Sequence, residues 1–222
     1  MASAWARRCA LEAQAQARFE ALALKLTPLS PQLARLAQVA AQEEARHALL
    51  CADLAAHYGA PRPDSGRQSA PSIAPPGLHP PQALTYEMVA TCCVAETQSM
   101  TLLTQLLPEA ATPQMKRALQ QIAKDEVSHS QLGWAYLAFQ RADLSFLGPL
   151  LPSMLAGSVD ADFFSSSEAF EDAGVIGHGV LPSRRRRALF LATTRELILP
   201  GLARFGVDVG PAAAWVESPT LS

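Results

Sequence analysis

The sequence has no apolar run long enough to cross a bilayer, because polar or charged residues interrupt its hydrophobic stretches every few positions. No excess of charge of either sign is present. A formal net charge of −2 leaves no basic footprint for a nucleic acid. Aromatic residues are scarce at 6%, so alanine and leucine must build the core, which favours helices. The four cysteines, Cys9, Cys51, Cys92 and Cys93, form no Cys-x-x-Cys pair, and adjacent Cys92 and Cys93 are poorly placed to bond each other. That argues against structural zinc and a disulfide framework, and for a reducing, cytoplasmic setting. The opening MASAWARRCALEAQ lacks the apolar core and cleavage site of a secretory signal, in keeping with that setting. What is present is 222 residues, 49% hydrophobic and 17% charged, the profile of a globular protein with one large domain or a domain with an appendage.

Apolar periodicity predicts a first helix from about Ala2 to Lys25, ending at Thr27-Pro28. Ser30 is an N-cap with Pro31 at the first helical position, and the second helix runs to about Tyr58, where Gly59 and Pro61 stop it. Residues Ala60 to Pro81, rich in Pro, Ser and Gly, read as a long irregular connection. A third helix is expected from about Pro81 to Leu107, and a fourth, capped by Thr112 with Pro113 behind it, to about Arg141. Two tight hairpins joined by one long crossover make an all-α four-helix bundle of the ferritin-like kind over residues 1–141. Residues 142–222 are expected to form a helical extension packing on the bundle or on a partner subunit. Its last helix starts at Ser183, bends or ends near Pro200-Gly201, and sets Leu189, Ala192, Glu196, Leu199 and Leu202 near one face.

The second helix contains Glu44-Ala45-Arg46-His47 and the fourth Glu126-Val127-Ser128-His129. Each is Glu-x-x-His, a spacing that puts both side chains on one helix face, one turn apart. One such motif arises often by chance. Two, each in the second helix of a hairpin, are far more specific. A matching single Glu is then needed from the first helix of each hairpin. Counting from the first turn at residue 29, Glu44 lies 15 residues beyond it and Glu12 17 before it, a mismatch of about 3 Å. Glu20 would miss by roughly 9 Å. In the second hairpin Glu96 lies 12 residues before Pro108 and Glu126 13 after Pro113, so they come level. Glu87, nine residues earlier, falls about 180° round the helix. The predicted ligand set is therefore Glu12, Glu44, His47, Glu96, Glu126 and His129. Four carboxylates facing a core need cations, and two divalent ions neutralise them. Carboxylates with imidazoles suit iron, or else manganese.

The order Glu, Glu-x-x-His, Glu, Glu-x-x-His on such a bundle resembles the ferritin-like diiron-carboxylate superfamily. Glu43-Glu44-Ala45-Arg46-His47 and Asp125-Glu126-Val127-Ser128-His129 further resemble its oxygen-activating branch, which includes ribonucleotide reductase small subunits, acyl carrier protein desaturases and bacterial multicomponent monooxygenases. There an acid precedes the ligand Glu and an Arg precedes the His, although Ser128 stands here in the second Arg position. The resemblance implies that Glu43 supports His129 and Asp125 supports His47. It also implies a two-iron oxidoreductase that activates oxygen or peroxide to oxidise or oxygenate a small organic molecule, with Glu96 among the bridging groups. The alternatives are a ferroxidase or iron-storage protein and a dimanganese peroxide-removing enzyme. The reading leaves room for an electron donor and a homo-oligomer, and includes no nucleic acid and no membrane span. Tyr136 is expected as a packed core tyrosine. His57, His79 and His178 are expected at the surface.

Overall fold

The computed structural model describes residues 1–62, 71–159, 163–164 and 173–218. Among these the chain is all-helical, a ferritin-like helical bundle. Helix α1 (Ala2–Leu26) pairs with α2 (Pro31–His57) across a short turn. Ser30 caps α2 by accepting a 3.3 Å hydrogen bond from the Leu33 amide. The crossover follows, of which residues 63–70 lie outside the described ones. Helix α3 is composite: an α-helix over Pro80–Met88, a π-helical stretch over Val89–Glu96 and an α-helix over Thr97–Leu106. Helix α4 (Pro113–Phe139) returns beside it, capped by Thr112, which accepts from the Met115 amide at 3.1 Å.

The apolar core has two halves. At one end Trp5, Cys9 and Ala13 of α1 meet Cys51 and Leu54 of α2, Leu103 of α3 and Leu119 of α4. At the other, Phe19 and Leu26 of α1 meet Ala37 of α2, Val89 and Cys93 of α3 and Leu132 of α4. Where the two halves meet, each helix carries its predicted glutamates and histidines. They form a polar layer across the middle of the bundle.

Beyond α4 a 3-10 turn (Ser145–Leu150) leads into α5 (Leu151–Gly157). Helix α6 starts at Ser183 and runs to Thr193, continuing through a π-helical stretch (Thr194–Ile198) and on over Leu199–Ala203. It ends at Ala203, just past Pro200-Gly201. Helix α7 is Gly210–Val216. The Gln98 side-chain amide of α3 donates to the Phe190 carbonyl (3.2 Å) and to Thr194 Oγ1 (2.9 Å), which ties α6 to the bundle. Of the face expected on α6, Leu199 and Leu202 are buried, Leu189 and Ala192 are half-buried and Glu196 is exposed. Phe190, Thr193, Thr194 and Ile198 are buried as well, and Leu197 is exposed. A π-helical turn takes more residues than an α-turn, so residues four apart stay in line.

Candidate metal centre

All six predicted ligand side chains are buried, none more than 6% exposed. They converge as two overlapping groups: Glu12, Glu44, His47 and Glu126, and Glu44, Glu96, Glu126 and His129. Within each group one donor atom per residue lies within 4.8 Å of the others. Glu44 and Glu126 are common to both groups, while Glu12 and His47 belong to one and Glu96 and His129 to the other. Glu20 and Glu87 belong to neither. Glu20 accepts from Gln16 at 3.1 Å. Glu87 is buried, but it is held by Lys25 and by Ser72 Oγ, which donates at 2.6 Å.

The outer carboxylates close the histidine side of the layer. His47 Nε2 stands 3.2 Å from Asp125 Oδ2, and His129 Nε2 stands 3.0 Å from Glu43 Oε2. A carboxylate only accepts, so each Nε2 donates and each Nδ1 faces inward. Arg46 spans the two outer acids, 3.3 Å from Glu43 and 3.7 Å from Asp125. Gln121 donates a further 2.8 Å bond to Asp125. On the opposite side Arg8 donates to Glu12 (2.9 Å) and to Ser99 Oγ (3.2 Å), and Ser99 donates to Glu126 Oε1 (2.8 Å). Arg8 was missed at the sequence level, although its place four residues before Glu12 is a readable signal.

Three buried polar atoms in the layer make no hydrogen bond: Glu44 Oε1, Glu126 Oε2 and His129 Nδ1. Yet His129 Nδ1 stands 2.9 Å from Glu44 Oε1 and 3.4 Å from Glu126 Oε2, close enough for charge to act but off the line of a hydrogen bond. Donor atoms that converge without bonding one another fit cations between them. Without cations, protons carry the compensating charge. Burial, and then the charge of Glu44, pushes Glu12 up to about 8. Burial and Glu126 hold Glu96 well above the usual carboxylate range. Burial would also raise Glu44, but the nearby His129 and His47 imidazoles outweigh it and hold it at about 2. His129 is raised to about 10: burial opposes this, and Glu126 and Glu44 prevail. Burial raises the Cys51 and Cys92 thiols, and neither belongs to the two converging groups.

The family model of rubrerythrin matches residues 6–132, more than half of the chain. The chain belongs to the rubrerythrin family. Among curated proteins and solved structures nothing matches. The rubrerythrin match spans the polar layer and stops ahead of Tyr136 and the whole C-terminal region. Rubrerythrins bind a diiron centre, and their activity is redox chemistry related to peroxide.

This rubrerythrin-family chain also has a cavity of 560 Å³ beside the layer, reaching Glu12, Glu96 and Glu126. Exposed Arg7, Leu11 and Gln14 of α1 stand at its mouth. Small residues of α1 and α3, among them Ala15, Ala90 and Ala95, leave room for it, and Met154, Leu181 and Phe190 of the C-terminal region wall it. Tyr136 is buried and paired with Thr85 at 2.9 Å. His57 and His79 are exposed, whereas His178 is half-buried, its Nδ1 2.9 Å from Tyr58 Oη and its carbonyl accepting from the Trp5 indole. No helix among the described residues is long and apolar enough to cross a membrane.

Proposed function

We propose that this chain is a diiron oxidoreductase that uses peroxide or oxygen to oxidise a small organic molecule. The observation that carries the reading is the cavity opening onto Glu12, Glu96 and Glu126, the carboxylate side of the layer. One ion would be held by Glu12 and His47, the other by Glu96 and His129, with Glu44 and Glu126 shared between them. Bound there, the iron pair would pass electrons to peroxide or oxygen and regain them from the organic molecule. The chain's own residues do the rest. Glu43 and Asp125 orient the imidazoles and keep each Nδ1 turned inward. Arg8 and Ser99 fix the Glu12 and Glu126 carboxylates. Arg46, Glu43 and Asp125 close the histidine side, which leaves the cavity as the approach for a substrate. Four unpaired, buried thiols support a cytoplasmic setting.

Anaerobic ferrous loading followed by mixing with peroxide, and separately with oxygen, tests the reading. Two irons per chain and a fast absorbance change with either oxidant are expected. Failure to take up iron, or uptake with no reaction, would reject it. Manganese uptake in preference to iron would favour peroxide removal, and a multi-subunit shell on size-exclusion chromatography would favour storage.

A further inference from the structure

The 560 Å³ cavity is far larger than peroxide or oxygen needs. A water-sized occupant takes about 30 Å³, and small-molecule sites typically span about 300–1,000 Å³. Its walls differ in chemistry. Arg8, Glu12, Ala15 and Arg18, three or four apart on α1, form one stripe facing it. Tyr86, Met154, Phe163, Leu181 and Phe190 supply apolar surface. Most cations at the cavity are already engaged. Arg8 is bonded to Glu12 and Ser99, and Arg186 lies 4.9 Å over the Phe163 ring.

Arg18 is different. Its guanidinium makes no hydrogen bond or ion pair among the described residues, and its Nε is buried. Burial lowers its pKa, against the pull of Glu96 and Glu87. Glu87 is itself taken by Lys25 and Ser72. A half-buried guanidinium without a bonded partner is costly. Its planar edge matches a carboxylate.

We propose that the cavity binds an organic monocarboxylate, with the carboxylate on Arg18 and the apolar body against Tyr86, Phe163 and Phe190. The inference deepens the redox reading above and rests on it for the chemistry, though not for binding. A single unengaged guanidinium favours one negative charge, and the apolar wall favours a hydrocarbon or aromatic body over a sugar or nucleotide.

Calorimetric titration of the full-length, metal-loaded protein with octanoate, octan-1-ol and octylammonium tests it. Octanoate should bind about tenfold or more tighter than octan-1-ol, and octylammonium should not bind. Arg18→Gln should weaken octanoate about ten- to hundredfold, leave octan-1-ol unchanged and keep the wild-type metal content; Arg18→Lys should restore part of the loss. No octanoate binding, equal affinity for octanoate and octan-1-ol, or indifference to Arg18→Gln would overturn the proposal. So would octanoate binding that is lost on metal removal yet indifferent to Arg18, because the carboxylate would then sit on the metals. If Arg18→Gln is misfolded by circular dichroism, the octanoate to octan-1-ol ratio of the wild type decides. Metal content on the same samples separates the two readings. A wild type that takes up no metal but binds octanoate through Arg18 sinks the redox reading and leaves this site standing. One that loads metal and reacts with peroxide but does not prefer octanoate sinks only this inference.

Discussion

Glu12 and Glu96 are the lone carboxylates that α1 and α3 bring to the polar layer, each belonging to one of its two groups. Glu12→Ala and Glu96→Ala should therefore each lose at least one metal ion per chain, measured by elemental analysis after loading. Glu87→Ala should keep both, since Glu87 is buried elsewhere with Lys25 and Ser72. Full retention by either of the first two variants would undo the ligand set. Without metal the same residues make stability depend on pH. Glu12 titrates at about 8 in the fold against an ordinary 4.5, first through burial and then through Glu44. A raised folded value means stability is complete below the ordinary pKa and is lost as pH rises through the folded one. His129, raised from 6.5 to about 10, acts in the same direction at higher pH. Glu44, held at about 2, loses stability only as pH falls through that value. The melting temperature of chelated protein should thus fall as pH rises from about 4.5 to about 8. Metal should flatten that fall, because it replaces the protons. A melting temperature that rises across this window in the chelated protein would contradict a buried, proton-compensated layer.

At the scale of elements, much of the bundle was legible because its signals are local. Ser30-Pro31 and Thr112-Pro113 mark helix starts by capping chemistry, and both hydroxyls accept the expected amides. Glu-x-x-His is a local spacing, and the levels of Glu12 and Glu96 follow from helix rise. The π-helical stretch Val89–Glu96 was not legible, because an extra residue in a helical turn leaves no mark in a run of apolar and small residues. It is this stretch that ends on Glu96, and α4 approaches it closely. A Cβ built on Gly133 would meet Cys93 Sγ at 2.6 Å and Cys92 Cβ at 2.7 Å. Gly133→Ala must push α3 and α4 apart near Glu96 and Glu126. We expect it to destabilise the protein by about 1–3 kcal/mol and to weaken metal binding. Chemical denaturation and metal titration measure the two effects. An unchanged denaturation midpoint would show that the two helices have slack there.

At the scale of the molecule, the C-terminal region was the least legible part, because its contacts are long-range and its elements are short. Phe190, Ile198 and Leu202 join the same apolar cluster as Leu132 and Tyr136 of α4. Met154, Leu181 and Phe190 wall the cavity. Gly201 approaches Trp134 so closely that a Cβ there would meet the indole ring at 2.7 Å. The rubrerythrin match stops at residue 132, so these contacts lie beyond what the family specifies. We propose that the described parts of residues 142–222 act as an extension that covers the bundle and closes the cavity over the metal layer. Chain ending at Arg141 would keep Glu12, Glu44, His47, Glu96, Glu126 and His129 but would strip cover from Leu132, Tyr136 and Val94 and open one wall of the cavity. An exposed apolar face of that kind drives association. The truncated protein should aggregate or change oligomeric state on size-exclusion chromatography. Any fraction that stays in solution should lose its preference for octanoate, while its ligand set still takes up metal. A truncated protein with unchanged oligomeric state, metal content and octanoate affinity would show that the cavity's outer wall has no part in the function.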